Sequence, residues 1–261
     1  MKTVILCGGQ GTRIRDVTEA APKPMVPIGP YPILWHIMKL YAHYGRCEFV
    51  LCLGYKGYVI KDFFLNYCAR VNDLTVDLSQ PGSVEYHNRH DEEGWKVTLV
   101  DTGERTMTGA RVRRVAPYLD GEEFMLTYGD GVADVDLDAL LTFHRAHGRV
   151  ATVTGVRPPG RFGELEVGDG GRVTAFAEKP QASGGLINGG FMVLGRSFIE
   201  RYLASDDPGL TLEREPLMRC AHDGELMVYA HEGYWQPMDT ARDHALLNAL
   251  WEGGQSPWKV W

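Results

Sequence analysis

The chain reads as an α/β fold with a mostly parallel central sheet flanked by helices. Two observations predict it. Through the first half, apolar runs of strand length alternate with segments whose apolar residues recur at helical spacing, the pattern of a parallel sheet covered by helices. Beyond Val156 the segments shorten and turn residues crowd between them, which predicts a part built from short strands.

The elements follow in order. Val4–Cys7 is a buried strand closed by Gly8-Gly9. Ile33, Ile37, Leu40 and Tyr44 mark a helix after Pro32. Glu48–Leu53 is a strand and Lys56–Arg70 a helix; Lys96–Asp101 and Glu123–Tyr128 are further strands. Leu137–His147 is a helix that stops at Gly148, and Val150–Val156 is a strand. Leu165–Val167, Arg172–Phe176 and Ile187–Leu194 are short strands expected to mix into the same sheet. Helices follow at Ser197–Leu203 and Glu213–His222, then a strand at Leu226–Ala230 and a closing helix at Thr240–Trp251. No repeat, low-complexity segment or linker divides the chain, so residues 1–261 read as one domain.

Composition narrows the class. Of 261 residues, 44% are hydrophobic and 23% charged, as in ordinary globular proteins, which excludes a disordered or fibrous chain. Lys+Arg number 27 against 34 Asp+Glu, a net charge of -7, opposite in sign to a general binder of nucleic acid or anionic membrane. A small anionic substrate stays open, because a local site can be positive on an acidic protein. No stretch approaches the ~20 apolar residues of a spanning helix, and the run ending at Gly8 is too short for the core of an export signal. Cys7, Cys47, Cys52, Cys68 and Cys220 contain no C-x-x-C spacing. That argues against a zinc ribbon or disulfide framework and for reduced thiols in a cytoplasmic protein.

The segment Gly8-Gly9-Gln10-Gly11-Thr12-Arg13 directly follows the first strand. Glycines there let backbone N–H groups approach an anion with no Cβ in the way. The loop lacks the lysine of a Walker sequence and the third glycine of a dinucleotide fingerprint. What remains is G-G-x-G-T-R, with Pro22-Lys23-Pro24-Met25 further on. Three glycines alone make a plain turn as readily as a cradle. Arg13 and Lys23 tilt the balance toward a triphosphate, since arginine can grip phosphate with two donors.

L-x-G-G-x-G-T-R followed by K-P-M resembles the signature of the sugar-1-phosphate nucleotidyltransferases, the nucleotide-sugar pyrophosphorylases. Pro32–Met38, Gly54–Tyr58, Val100–Gly103, Thr127–Val132, Asn188–Phe191 and Trp235–Thr240 extend the likeness along the whole chain, toward the branch that transfers cytidylyl groups. The chain departs from the pattern at Cys7, where the family has Ala, at Gln10, where Leu is common, and at Ala21, which replaces the first lysine of a K-P-K-P-M run. The last removes a cation from the mouth of the site.

The resemblance implies a Rossmann-like nucleotide-diphospho-sugar transferase fold, its N-terminal half binding nucleotide and its C-terminal half sugar phosphate. It implies a nucleotide site of Leu6, Cys7, Gly8, Gly9, Gln10, Gly11, Thr12, Arg13, Lys23, Thr106, Arg111 and Gly129, and a sugar-phosphate site of Gly163, Glu178, Lys179 and Asn188. Asp130 and Asp239 match the aspartates that hold Mg²⁺, with Arg13, Lys23 and Asp130 as the catalytic groups. The implied reaction joins CTP to α-D-glucose 1-phosphate, giving CDP-glucose and diphosphate. Arg13 is expected on the β- and γ-phosphates and Lys23 on the α-phosphate. UTP, dTTP or another sugar 1-phosphate are the rivals within the class; a regulatory subunit that binds nucleotide without turnover is the rival outside it. A homo-oligomer is expected, a hexamer among the sizes open, with no nucleic-acid or membrane partner.

Each residue also has a plainer reading. Gly129-Asp130-Gly131 taken alone is a turn, and Asp239 beside Thr240 is a helix N-cap. Lys179 and Glu178 could form a surface ion pair, and Asn188 a turn. Arg113 and Arg114 read as a solvated helix face, Arg111 as a substrate contact. His144 and His147 sit near a helix C-terminus that suits them, and His87 and His90 lack further ligands nearby. The tail Pro257-Trp258-Lys259-Val260-Trp261 is expected to bury its tryptophans, either on its own subunit or across an interface.

Overall fold

The computed structural model describes residues 1–9, 21–80, 82–158, 164–167, 172–177 and 185–261, with only the backbone of 164–167 and 173–177. The strands that build the main sheet are β1 (Thr3–Leu6), β2 (Glu48–Leu53), β5 (Lys96–Asp101), β6 (Glu123–Tyr128), β8 (Ala151–Val156), β11 (Ile187–Gly195) and β12 (Leu226–His231). They lie in the order β12-β8-β11-β6-β1-β2-β5. β1 pairs in parallel with both β2 and β6, β2 with β5, and β8 with β12. β11 alone runs antiparallel to its neighbours, β6 and β8. The sheet is therefore mixed but mostly parallel.

Two helical layers cover it. On one face lie α1 (Ile33–His43), α5 (Leu137–His147) and α8 (Ala241–Glu252), over a core that includes Ile5, Met38, Leu51, Met125 and Phe191. On the other face lie α4 (Thr108–Arg114), α6 (Arg196–Tyr202) and α7 (Glu215–His222), over Val4, Val50, Leu126 and Met192. Alternate residues of β1 thus feed opposite cores, as the period of two requires. α5 starts at an Asp136 cap and ends at Gly148, whose φ of 64° is the left-handed conformation such a stop needs.

Three expectations change. The helix foreseen over 56–70 is two, α2 (Gly57–Leu65) and α3 (Tyr67–Val71). They part at Asn66, whose side-chain amide donates to the Asp62 carbonyl at 2.9 Å and so competes with the helical ladder. The short strands β9 (Glu164–Val167) and β10 (Val173–Ala177) do not join the main sheet but pair with each other. An unforeseen hairpin, β3 (Leu74–Val76) and β4 (Val84–Tyr86), precedes β5.

The aromatic tail docks on its own chain. Trp258 is 1% exposed, and its indole N–H donates to His36 Nδ1 at 3.4 Å. Trp261 meets Trp35 edge to face. No helix among the described residues is long and apolar enough to cross a membrane.

Candidate active site

The chain leaves β1 on one side toward β2 and later returns on the other side as β6. Ligand crevices in open α/β sheets form at such a reversal, beyond the carboxyl ends of the strands. Gly8, which follows β1, and Gly129-Asp130, which follow β6, lie there. The Gly129 N–H donates to the Leu6 carbonyl at 3.0 Å. A Cβ on Gly129 would meet that carbonyl oxygen at 2.9 Å and Pro24 at 3.1 Å. The glycine therefore lets the end of β6 lie against both β1 and the Lys23 turn, which delivers Asp130 to Lys23.

Asp239 arrives by a different route. Two three-residue strands, β7 (Gly131–Ala133) and β13 (Trp235–Pro237), pair antiparallel with Gly131 opposite Pro237. The Met238 N–H donates to the Asp130 carbonyl at 2.8 Å, extending that ladder by one step. Asp130 and Asp239 thus come together because they flank one miniature sheet.

Lys23 lies in a 3-10 turn, Lys23–Met25, held by the extended Pro22 and by Pro24. Its Nζ is 2.7 Å from Asp130 Oδ2 and 2.7 Å from Asp239 Oδ1. Burial disfavours the ammonium, but the two carboxylates outweigh it and hold its pKa above the ordinary lysine value. The lysine side chain is 12% exposed, while Asp130 and Asp239 keep 36% and 28% of theirs open.

The plainer reading of Asp239 does not describe its carboxylate. The N-cap of α8 is Thr240, whose hydroxyl accepts from the Asp243 N–H at 3.2 Å. Asp243 returns the bond, accepting from the Thr240 N–H at 2.8 Å and the Asp239 N–H at 3.0 Å. The capping box is therefore complete without the Asp239 side chain. α8 is fastened to the hairpin after Lys23: His244 Nε2 lies 2.9 Å from the Pro27 carbonyl, and the Gly29 N–H donates to Asn248 Oδ1 at 2.9 Å.

The resemblance implies a nucleotide contact at Arg111. Arg111 is 3% exposed, pointing inward from α4. Its Nη1 donates to the Leu53 carbonyl at 2.9 Å and to Thr102 Oγ1 at 2.7 Å, and its Nη2 to the Gly8 carbonyl at 3.0 Å. Its fork is taken up by protein oxygens, so it supports the glycine turn from beneath. Thr106 is also buried, accepting from Arg114 at 2.8 Å. Leu6 and Cys7 turn their side chains into the core, and the Cys7 N–H donates to the Cys52 carbonyl at 3.1 Å. Gly9 is exposed. Gln10, Gly11, Thr12, Arg13, Gly163, Glu178 and Lys179 lie outside the described residues.

Asn188 is exposed in β11, its Oδ1 accepting from the Gly190 N–H at 2.9 Å. Gly190 has φ of 86°, and a Cβ there would strike Tyr128 at 2.5 Å. The hydroxyl of the half-buried Tyr128 side chain donates to Glu213, and desolvation, then Glu213, push its pKa well up. The Tyr128–Glu213 contact escapes a sequence reading because its partners stand 85 residues apart.

Two converging carboxylates fit a hard cation, which prefers carboxylate and phosphate oxygens. That both reach one ammonium shows that they already surround a single cationic centre. No group of three or more His, Cys, Asp or Glu among the described residues converges in this way.

The sequence pattern of the nucleotidyl transferase family matches residues 2–250. The chain is 52% identical to the glucose-1-phosphate cytidylyltransferase of Salmonella typhi over the full length of both. It is 48% identical, again over both full lengths, to a probable glucose-1-phosphate cytidylyltransferase of Bacillus subtilis. Among solved structures, HddC from Yersinia pseudotuberculosis superposes with a TM-score of 0.69 at 22% identity, covering 96% of this chain and 99% of that one, a likeness of fold. The chain belongs to the nucleotidyl transferase family.

Proposed function

We propose that this chain catalyses the reaction of CTP with α-D-glucose 1-phosphate to give CDP-glucose and diphosphate. The observation that carries the chemistry is the convergence of Lys23, Asp130 and Asp239 beside the glycine turn at the switch point of the sheet. The full-length similarity to two cytidylyltransferases supports the choice of nucleotide and sugar.

An oxygen of the sugar phosphate attacks the α-phosphorus of CTP. The new P–O bond forms as the bond from that phosphorus to the bridging oxygen breaks, and diphosphate leaves with the electron pair. The nucleophile is already an anion, so no base need activate it. The chain's task is to position two anions and offset their repulsion.

Gly8 and Gly9 leave backbone within reach of the nucleotide, and Arg111 fixes that backbone through the Gly8 carbonyl. Lys23 supplies positive charge to the α-phosphate, and Asp130 and Asp239 are the residues that would hold Mg²⁺. When bound, the ion neutralises charge on the phosphates. Arg13 is assigned to the leaving diphosphate. Gly163, Glu178, Lys179 and Asn188 are assigned to the sugar phosphate, with Lys179 as its cation. The protein is read as cytoplasmic and as a homo-oligomer.

Diphosphate release across a matrix of CTP, UTP, dTTP and GTP with several sugar 1-phosphates tests the reading. Turnover confined to CTP and glucose 1-phosphate is expected. Equal use of another nucleotide overturns the cytidylyl assignment, and no turnover with any pair overturns the enzyme.

A further inference from the structure

We infer that Lys23 is the resting counter-ion of the Asp130–Asp239 pair, so that the lysine and a divalent cation occupy this pair in turn. The inference rests on the proposal that these aspartates hold the cation, and adds how the site is kept before loading.

The Lys23 ammonium is 2.7 Å from one oxygen of each carboxylate. A small divalent cation needs oxygens at about 2.0–2.1 Å and tolerates little distortion. An ion that took those two oxygens would stand only a few ångströms from the ammonium in hydrogen-bond contact with both, so the two positive centres compete for them. One of them must yield. The carboxylates are fixed through their backbones by the ladder from Asp130 to Met238 and by the Asp243 contact to the Asp239 N–H. Lys23 is the mobile partner: its turn is pinned by prolines, but its four-carbon stem and rotating ammonium can swing.

The direction of the swing follows from charge. A lysine leaving two carboxylates needs another anion, and a nucleotide phosphate at the neighbouring glycine turn offers one. Nucleotide therefore opens the cation site by drawing Lys23 away, and a cation frees Lys23 for phosphate. The two ligands bind with positive coupling, equal in both directions.

The test uses the full chain without nucleotide. Mn²⁺ binding is followed by electron paramagnetic resonance, and the lysines are labelled by reductive methylation and read by mass spectrometry. Lys96, 77% exposed and away from the pair, is the internal reference. Lys23 should be labelled at least about tenfold more slowly than Lys96 without metal. Its rate should rise over the same Mn²⁺ range in which the resonance signal reports binding. Lys23→Met should bind Mn²⁺ at least about tenfold more tightly than the wild type. Mn²⁺ saturation with no change in Lys23 labelling overturns the exchange, as does unchanged affinity in Lys23→Met. The labelling arm uses the native protein, so a variant that fails to fold leaves it intact. A protein that shows the exchange yet does not turn over CTP keeps this inference and loses the cytidylyl reading.

Discussion

The guanidinium of Arg111 donates to the carbonyl of Gly8 across a sequence separation of 103 residues. The fit is close on both sides. A Cβ on Gly8 would lie 2.1 Å from the guanidinium carbon, and one on Gly54 would lie 2.6 Å from Nη1. Burial lowers the pKa of Arg111, the cost of a charge satisfied by carbonyls and a hydroxyl. Arg111→Lys cannot reproduce a fork shared between Leu53, Thr102 and Gly8. We expect a loss of about 2–4 kcal/mol of stability in urea unfolding, with KM for CTP rising more than kcat falls. Unchanged stability would remove Arg111 from its supporting role.

The capping box separates two neighbouring acids. Asp239→Asn should lower kcat/KM by orders of magnitude and hardly move the Tm, because Thr240 and Asp243 still cap α8. Asp243→Ala should do the reverse in part, costing about 1 kcal/mol of stability. Asp130→Asn should resemble Asp239→Asn, and the double variant should be less than additive if both carboxylates serve one cation, as proposed. Near-wild-type turnover in either asparagine variant returns that aspartate to a structural role.

These outcomes mark what the sequence carried. The alternation of strands and helices was legible because long elements keep their period, and the ends of β1 and β6 pointed to Gly8 and Asp130 for the same reason. β7 and β13 were not legible, since three residues are too few to show a period, yet they bring Asp130 and Asp239 together. Asn66 hid a helix break because only its side-chain bond to Asp62 reveals it. Arg111 was read as a substrate contact from the likeness of its segment; its burial against carbonyls of Leu53 and Gly8 depends on distant parts of the chain, which no local pattern announces.

A third expectation concerns acid. His36 is fully buried, donating from Nε2 to the Ile28 carbonyl at 2.9 Å and accepting the Trp258 indole N–H at Nδ1. That pattern needs the neutral ring. Burial lowers its pKa from 6.5 to about 4. Unfolded chain takes up the proton near the ordinary value while folded chain refuses it, so this contribution is present above that value and is lost as pH falls toward 4. The slope should reach about 1.4 kcal/mol per pH unit. Urea unfolding of wild type against His36→Gln between these limits isolates it; parallel curves would dismiss the effect.

The same docking gives a fourth. Trp258→Ala empties a fully buried site and should cost about 3–5 kcal/mol. A smaller loss, with unchanged near-ultraviolet dichroism, would mean that the tail contributes little to the core.

Base choice gives a fifth. Cytosine presents an amino donor and a ring acceptor where uracil and thymine present the reverse, and an unpaired buried group costs about 1–3 kcal/mol. CTP should exceed UTP and dTTP by at least about tenfold in kcat/KM.

The link between Lys23 and Asp239 spans 216 positions. On the ribosome, the N-terminal strands and the glycine turn can emerge and pack while Asp239 has yet to be made. Until β13, α8 and the tail that seals His36 have been synthesised, Lys23 and Asp130 lack their third partner. A chain cut short before that point would therefore carry Lys23 and Asp130 without the second carboxylate that closes around the ammonium.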